Sequence, residues 1–273
     1  MSVSRRLLPA ALALASLTPV SAAPNWANVP AKTVTLFYPG RTSFEWLTTP
    51  AKHIGAVKVR DGRACAACHT GQERSLGDAA GKKNEPEPIA GKPAVITTKV
   101  QFARDAQNLY IHLEFSDAGQ PDANMGKAAA SVAMMLGGEG TGCWAACHDD
   151  SLGMASGGSR TMYLGHGTAP EPPAALEYWR VELGAKPAVS NGTVLDRRAE
   201  KKSIVTAEAT RNGTMWLVTM TRKLAAGTVA IAPGRRYTVA FAIDAGHTAK
   251  RFHYVSFERS LVLDSGVADF VAK

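Results

Sequence analysis

The chain has 273 residues, 45% of them hydrophobic and 20% charged, with a formal net charge of +8. That length holds one large domain or two small ones with a sizeable core. The cations are scattered, with no basic block interleaved with aromatics. This pattern argues against a nucleic-acid partner and for a solvated surface.

Residues 1–22 read as a secretory signal peptide, in which Arg5 and Arg6 form the positive end and "LLPAALALASL" the apolar stretch. Val20-Ser21-Ala22 forms a small-residue cleavage site, and cutting near Ala22 avoids leaving Pro24 at the new N-terminus. Removing Arg5 and Arg6, the only charges of that segment, lowers the net charge to +6. No later segment reaches the ~18 consecutive apolar residues of a membrane span. The expectation is an exported, periplasmic protein with no membrane span.

Residues 23–85 form an N-terminal segment containing "CAACH", Cys65 to His69. Four cysteines in an exported chain normally invite a disulfide reading. Cys-x-x-Cys-His spacing argues otherwise. Two thiols one helical turn apart can both add to haem vinyl groups, and the adjoining histidine then reaches the iron. A thioredoxin-like redox pair would need a βαβ pattern that the flanks lack, and a zinc site would recruit both cysteine clusters. Cys65 and Cys68 are thus expected to carry haem c covalently, with His69 as proximal ligand. His53 lies 16 residues before His69. At ~3.3 Å per residue that stretch could span ~50 Å, ample to pass round a porphyrin edge. Gly55 and Gly62 allow such a turn, so His53 is the expected distal ligand of the first haem.

"GKKNEPEPIAGKP" reads as a linker or long loop. Beyond it, residues 86–273 alternate like short strands: "AVITTKVQFARD", "NLYIHLEFSD", "SVAMML", "EYWRVELG", "SIVTAEAT", "GTMWLVTMTRKL", "RRYTVAFAID" and "HYVSFERSLVL". Hairpin turns are expected at "DAQN" before Leu109 and at "RNG" before Met215. Nothing after the signal keeps a 3.6-residue period. The fold class is therefore mainly β: an antiparallel β-sandwich preceded by an N-terminal loop and short-helix haem segment.

"GCWAACHDD", residues 142–150, interrupts the strands. Three residues separate Cys143 from Cys147, which puts them at i and i+4, still on one helical face. A disulfide between them would give no reason for His148, and a bridge between the two clusters would cost the first haem. The stretch reads as a variant site for a second covalent haem, with His148 as proximal ligand, on a loop or short helix emerging from the sheet. "DSLGMASGGSR" and "GHGTAPEPP" would be the loops covering it. Trp144 packs on the porphyrin or is an ordinary core aromatic. Arg160 and Lys250 are candidate propionate partners or solvated charges, and Asp149 and Asp150 cap or orient a loop. Met154, His166 and His253 compete for the distal position of this haem. His112 is expected to point outward from its strand, and His247 to sit in a turn.

The combination of "FEWL", "HIGAVKVRDGRACAACHTGQE", "VQFARDAQNLYIHLEF", "VAMMLG", "GCWAACHDD" and "HYVSFERSL" resembles the ethylbenzene dehydrogenase-type haem-binding domain, more narrowly its dihaem c-type cytochrome members. The resemblance covers nearly the whole mature chain, and only its haem motifs are sharp. It extends to the haem-binding γ subunits of periplasmic molybdenum enzymes of the dimethyl sulfoxide reductase family. Those subunits hold a b-type haem between a methionine and a lysine on a β-sandwich. Neither ligand is kept as its own residue type here. By position, the resemblance implies His148 and His253 as the second pair.

With two protein ligands on each iron, no coordination position is left for substrate. The expected function is then outer-sphere electron transfer rather than catalysis. The expected partner is a redox protein, either a molybdoenzyme complex or a membrane quinol-oxidising cytochrome. A haem enzyme or gas sensor, in which one iron lacks its sixth ligand, is the alternative. A purely binding sandwich, by analogy with carbohydrate-binding modules, is a third reading. No Ser-His-Asp set, phosphate-binding loop or paired catalytic carboxylates can be argued from spacing.

Overall fold

The computed structural model describes residues 23–39, 46–47, 49–60, 63–83, 93–117, 128–139, 176–193, 198–199, 203–245 and 253–273. The expected signal peptide, the core of the expected linker and "GCWAACHDD" with its surrounding loops lie outside the described residues.

Thirteen strands are described: β1 Lys32–Phe37, β2 Val95–Arg104, β3 Asn108–Ser116, β4 Ala130–Gly138, β5 Leu176–Leu183, β6 Ala188–Thr193, β7 Arg198–Ala199, β8 Val205–Asn212, β9 Met215–Lys223, β10 Arg236–Asp244, β11 Tyr254–Ser256, β12 Arg259–Leu263 and β13 Phe270–Ala272. They form one sheet in the order β7-β6-β5-β4-β10-β11-β1-β2-β3-β9-β8, with β12 on β10 and β13 on β12. Pairing is antiparallel except between β12 and β13. No helix among the described residues is long and apolar enough to cross a membrane.

The period-2 pattern explains the layers. On β3, Leu109, Ile111, Leu113 and Phe115 point inward and are at most 1% exposed. Each such side chain stabilises the fold by roughly 1.5–3 kcal/mol. Val132, Met134 and Leu136 of β4 and Val239, Phe241 and Ile243 of β10 do the same from the facing layer. Phe102 on β2 meets Phe241 on β10 with ring centroids 6.4 Å apart, and Phe270 on β13 packs on both. Among the described residues the strand ladder passes from one layer to the other through two residue pairs of β1 with β11, Leu36 with Ser256 and Phe37 with Val255. Their far edges also meet, where Asn191 Oδ1 accepts from Ser203 Oγ at 2.6 Å and Ile204 N at 3.1 Å. The sandwich is nearly a closed barrel.

Both expected hairpins are present. Asp105 Oδ1 accepts from the amides of Gln107 and Asn108 at 2.7 Å, which closes the β2–β3 turn. Asn212 pairs with Met215 across the β8–β9 turn. β1 arises within the stretch read as the haem segment and takes a central place between β11 and β2.

The inward faces of β5 and β9 each carry one charged side chain. Glu177 on β5 and Arg222 on β9 continue the buried faces of their strands and meet across the layers. Arg222 Nη2 donates to Glu177 Oε1 at 2.8 Å, and Arg222 Nε donates to Glu177 Oε2 at 3.1 Å. The remaining guanidinium donors reach the carbonyls of Val229, Lys223 and Leu224. The carboxylate also accepts from Val229 N at 2.7 Å and Trp179 Nε1 at 3.2 Å. Every donor of one ion is thus matched, which is the condition for a dry ion pair to be tolerated.

The N-terminal stretch lies across the outer faces of β2 and β3. Gln101 Nε2 donates to the carbonyls of Trp26 and Val29 at 2.7 and 2.6 Å. Trp26 stacks on His112 with ring centroids 4.9 Å apart. His112 points outward as expected, but this cover leaves it only 7% exposed. Burial pushes its pKa below the ordinary imidazole value, and the nearby Glu114 carboxylate pulls the other way.

Arg222→Leu is expected to destabilise the fold by about 3–5 kcal/mol, read as a lower urea midpoint. The double variant Glu177→Leu/Arg222→Leu should not regain wild-type stability, because the carbonyls and N–H groups that the pair satisfies stay buried. His112 gives a pH dependence. The unfolded chain takes up a proton near pH ~6.5, the folded chain only at lower pH, so stability is lost as pH falls below that value. The limiting slope is about 1.4 kcal/mol per pH unit for one group. Thermal melts between about pH 7.5 and 5.5 should show a shallower decline in His112→Asn than in the wild type.

Candidate cofactor site

The segment between β1 and β2 supplies the site. It contains α1 Ala56–Arg60, α2 Ala66–His69 and α3 Glu73–Lys83. Helices of five and four residues are far too short to persist alone. They are held at the end of the sandwich marked by Phe37 and Phe115.

α3 makes the main attachment. Gly77 lies so close over β2 that a Cβ there would come within 2.0 Å of the Ala94 carbonyl oxygen. The same carbonyl accepts from Tyr38 N at 3.0 Å. Glu73, buried at the start of α3, pairs with Arg259 of β12 at 3.8 Å. The sequence shows no helical period here because the described buried side of α3 is formed by Gly77, Ala80 and the polar Glu73.

Cys65 caps α2, and its carbonyl accepts from Cys68 N at 3.1 Å and His69 N at 3.0 Å. Cys65 is half-buried and Cys68 exposed. This single turn places the two sulfurs and the His69 imidazole on one side of the helix.

His53 faces His69. Their ring centroids are 6.1 Å apart and their planes differ by 22°. Trp46 flanks His53 at 5.3 Å, and Phe257, between β11 and β12, flanks His69 at 6.5 Å. Phe257 in turn contacts Phe37 of β1 at 4.9 Å. Gly55 leaves room for the His53 ring, since a Cβ there would lie 3.0 Å from His53 Cε1. Ile54 and Val57 are exposed beside the pair.

Hydrogen bonds fix the tautomer of both rings. His53 Nδ1 donates to the Leu47 carbonyl at 2.8 Å, and His69 Nδ1 donates to Gln72 Oε1 at 2.9 Å. Both partners are carbonyl oxygens, which only accept. The proton of each neutral ring therefore sits on Nδ1, and the Nε2 lone pair is left to bind metal. An atom held roughly 2 Å from each Nε2 would separate the ring centroids by about 6 Å. The observed ring spacing matches that of two imidazoles sharing one iron, and Cys65 and Cys68 lie on the turn that carries His69.

The structure brings together Cys65, Cys68, His69 and His53 of the expected site residues. His253 stands apart at the same end of the sandwich, just before β11, half-buried beside Asp244 and Arg180. Burial holds its pKa below the ordinary imidazole value; Asp244 opposes this and Arg180 adds to it. Cys143, Cys147, His148, Met154 and His166 lie outside the described residues, as do Trp144, Asp149, Asp150, Arg160, His247 and Lys250. Spacing alone pointed to neither Gln72 nor Phe257, though both fall inside stretches that carried the family resemblance.

A β-sandwich that carries Cys-Ala-Ala-Cys-His beside a second, facing imidazole has the make-up of a c-type cytochrome. Two relatives bear this out. The chain is 36% identical over 266 residues to cytochrome c-552 of Stutzerimonas stutzeri, covering 90% of each chain. It is 31% identical over 245 residues to cytochrome c-551 of Rhodocyclus tenuis, covering 86% of this chain and 92% of that one. The chain belongs to this cytochrome c-552/c-551 family of c-type cytochromes. No protein-family model matches it. Among solved structures it is similar to a family 9 carbohydrate-binding module from Caldicellulosiruptor kristjanssonii, with TM-score 0.33 and 15% identity over 59% of this chain and 65% of that one. A putative carbohydrate-binding protein from Bacteroides uniformis gives TM-score 0.35 and 12% identity over 62% and 72%.

Proposed function

We propose that the protein is a periplasmic dihaem c-type cytochrome that passes electrons to or from a respiratory oxidoreductase, and that it belongs with the ethylbenzene dehydrogenase-type haem-binding domains. One observation carries the reading: two near-parallel imidazoles face each other across 6.1 Å, both with Nδ1 occupied, beside Cys65 and Cys68.

Cys65 and Cys68 would hold haem through thioether bonds, each thiol adding its sulfur and hydrogen across one vinyl double bond with no oxidant needed. His69 and His53 would hold its iron through their Nε2 atoms, and Ile54 and Val57 offer exposed apolar surface on the same segment. Bound there, haem supplies one-electron oxidation and reduction at its iron. Two histidine ligands would leave no position for substrate and would favour a lower potential than a Met/His pair.

Cys143, Cys147 and His148 hold the second haem in this reading. His253 is its distal ligand, with Met154 and His166 as alternatives. The chain leaves β4 at the sandwich end opposite His253, six strand residues or ~20 Å away. The nine residues from Glu139 to His148 reach ~30 Å, enough to run back along the sheet. Lys52, Lys58, Arg63 and Arg74 are exposed on the first haem segment and suit an acidic redox partner, a molybdoenzyme complex or a membrane quinol-oxidising cytochrome.

Mass spectrometry of the denatured mature protein should show the chain plus two haem masses; one added haem would remove the second site. His53→Ala should convert the first haem to a high-spin form in the absorption spectrum. Gly55→Val, which crowds the same ring, should populate that form in part. A wholly low-spin spectrum in His53→Ala would strike His53 from the ligand set.

A further inference from the structure

The two imidazoles of the site are held by acceptors of different kinds. Leu47 offers His53 a backbone carbonyl, which no substitution at position 47 replaces. Gln72 offers His69 a side-chain carbonyl, which a single substitution changes. The backbone of Gln72 is fixed from several sides. Its N–H donates to the His69 carbonyl at 2.9 Å, while its own carbonyl accepts from Leu76 N at 3.0 Å and from Ser75 Oγ at 2.9 Å. The side chain therefore starts from a set position, three residues after the ligand and one residue before the buried Glu73 that anchors α3.

We infer that Gln72 is a positioning residue that sets the basicity of His69, and through it the reduction potential of the first haem. The inference rests on the reading of His69 as an iron ligand. A stronger acceptor on Nδ1–H moves electron density toward Nε2, and a more basic Nε2 stabilises the oxidised iron. A carboxylate at position 72 strengthens that pull, and an apolar side chain removes it.

Spectroelectrochemical titration of the haem-loaded protein tests this. Gln72→Glu should lower the midpoint potential of one haem and Gln72→Leu should raise it, with the other haem unmoved. Gln72→Glu should keep the low-spin spectrum. Equal potentials in wild type and both variants, or a shift of the same sign in both, would overturn the inference. So would a high-spin spectrum in Gln72→Glu, which keeps an acceptor. His69→Ala separates the two readings: a low-spin spectrum and unchanged potentials there would remove His69 as a ligand, whatever position 72 does.

Discussion

A carboxylate and a guanidinium, shut away from water between two layers of sheet, fix how this sandwich closes. Glu177 and Arg222 occupy positions that strand alternation reserves for apolar side chains. A methyl group in either place would tolerate sliding. The ion pair does not, because its partners on the 224–229 connection are directional. One end of the barrel is thereby made rigid, and the short β1–β11 joint lies toward the other.

The haem segment docks at that other end and borrows its order from the sheet. Its short helices have no core of their own. What they have is a set of attachments: Gly77 against the Ala94 carbonyl, Glu73 to Arg259, and His69 against Phe257. The facing of His53 and His69 is thus a property of the whole fold. In the proposed reading the attachment motif supplies one ligand and two sulfurs, while the Leu47 carbonyl, Trp46 and Gly55 position the facing imidazole.

Much of the sandwich was legible in the sequence because alternation survives in β3, β4, β9 and β10, where one face is wholly apolar. β1 was not recognised, since "KTVTLF" sits among residues whose cysteines and histidines drew the reading toward haem. α3 was missed for a different reason: a helix that docks through glycine and alanine has no apolar stripe. The Glu177–Arg222 contact joins residues 45 apart in sequence, and nothing in either strand announces it. At the site, the pairing of His53 with His69 was within reach of chain-length arithmetic. The roles of Gln72 and Phe257 depend on hydrogen bonding and on a strand folding back, which spacing does not encode. The second cysteine cluster lies outside the described residues, so its part of the reading remains one from sequence.

Where Gly77 meets Ala94, main chain rests on main chain with no side chain between. Elsewhere around the imidazoles, drift in sequence can swell, trim or recharge a contact and so retune the centre. At this seam any added side chain would push helix from strand, so the two backbones themselves set the separation.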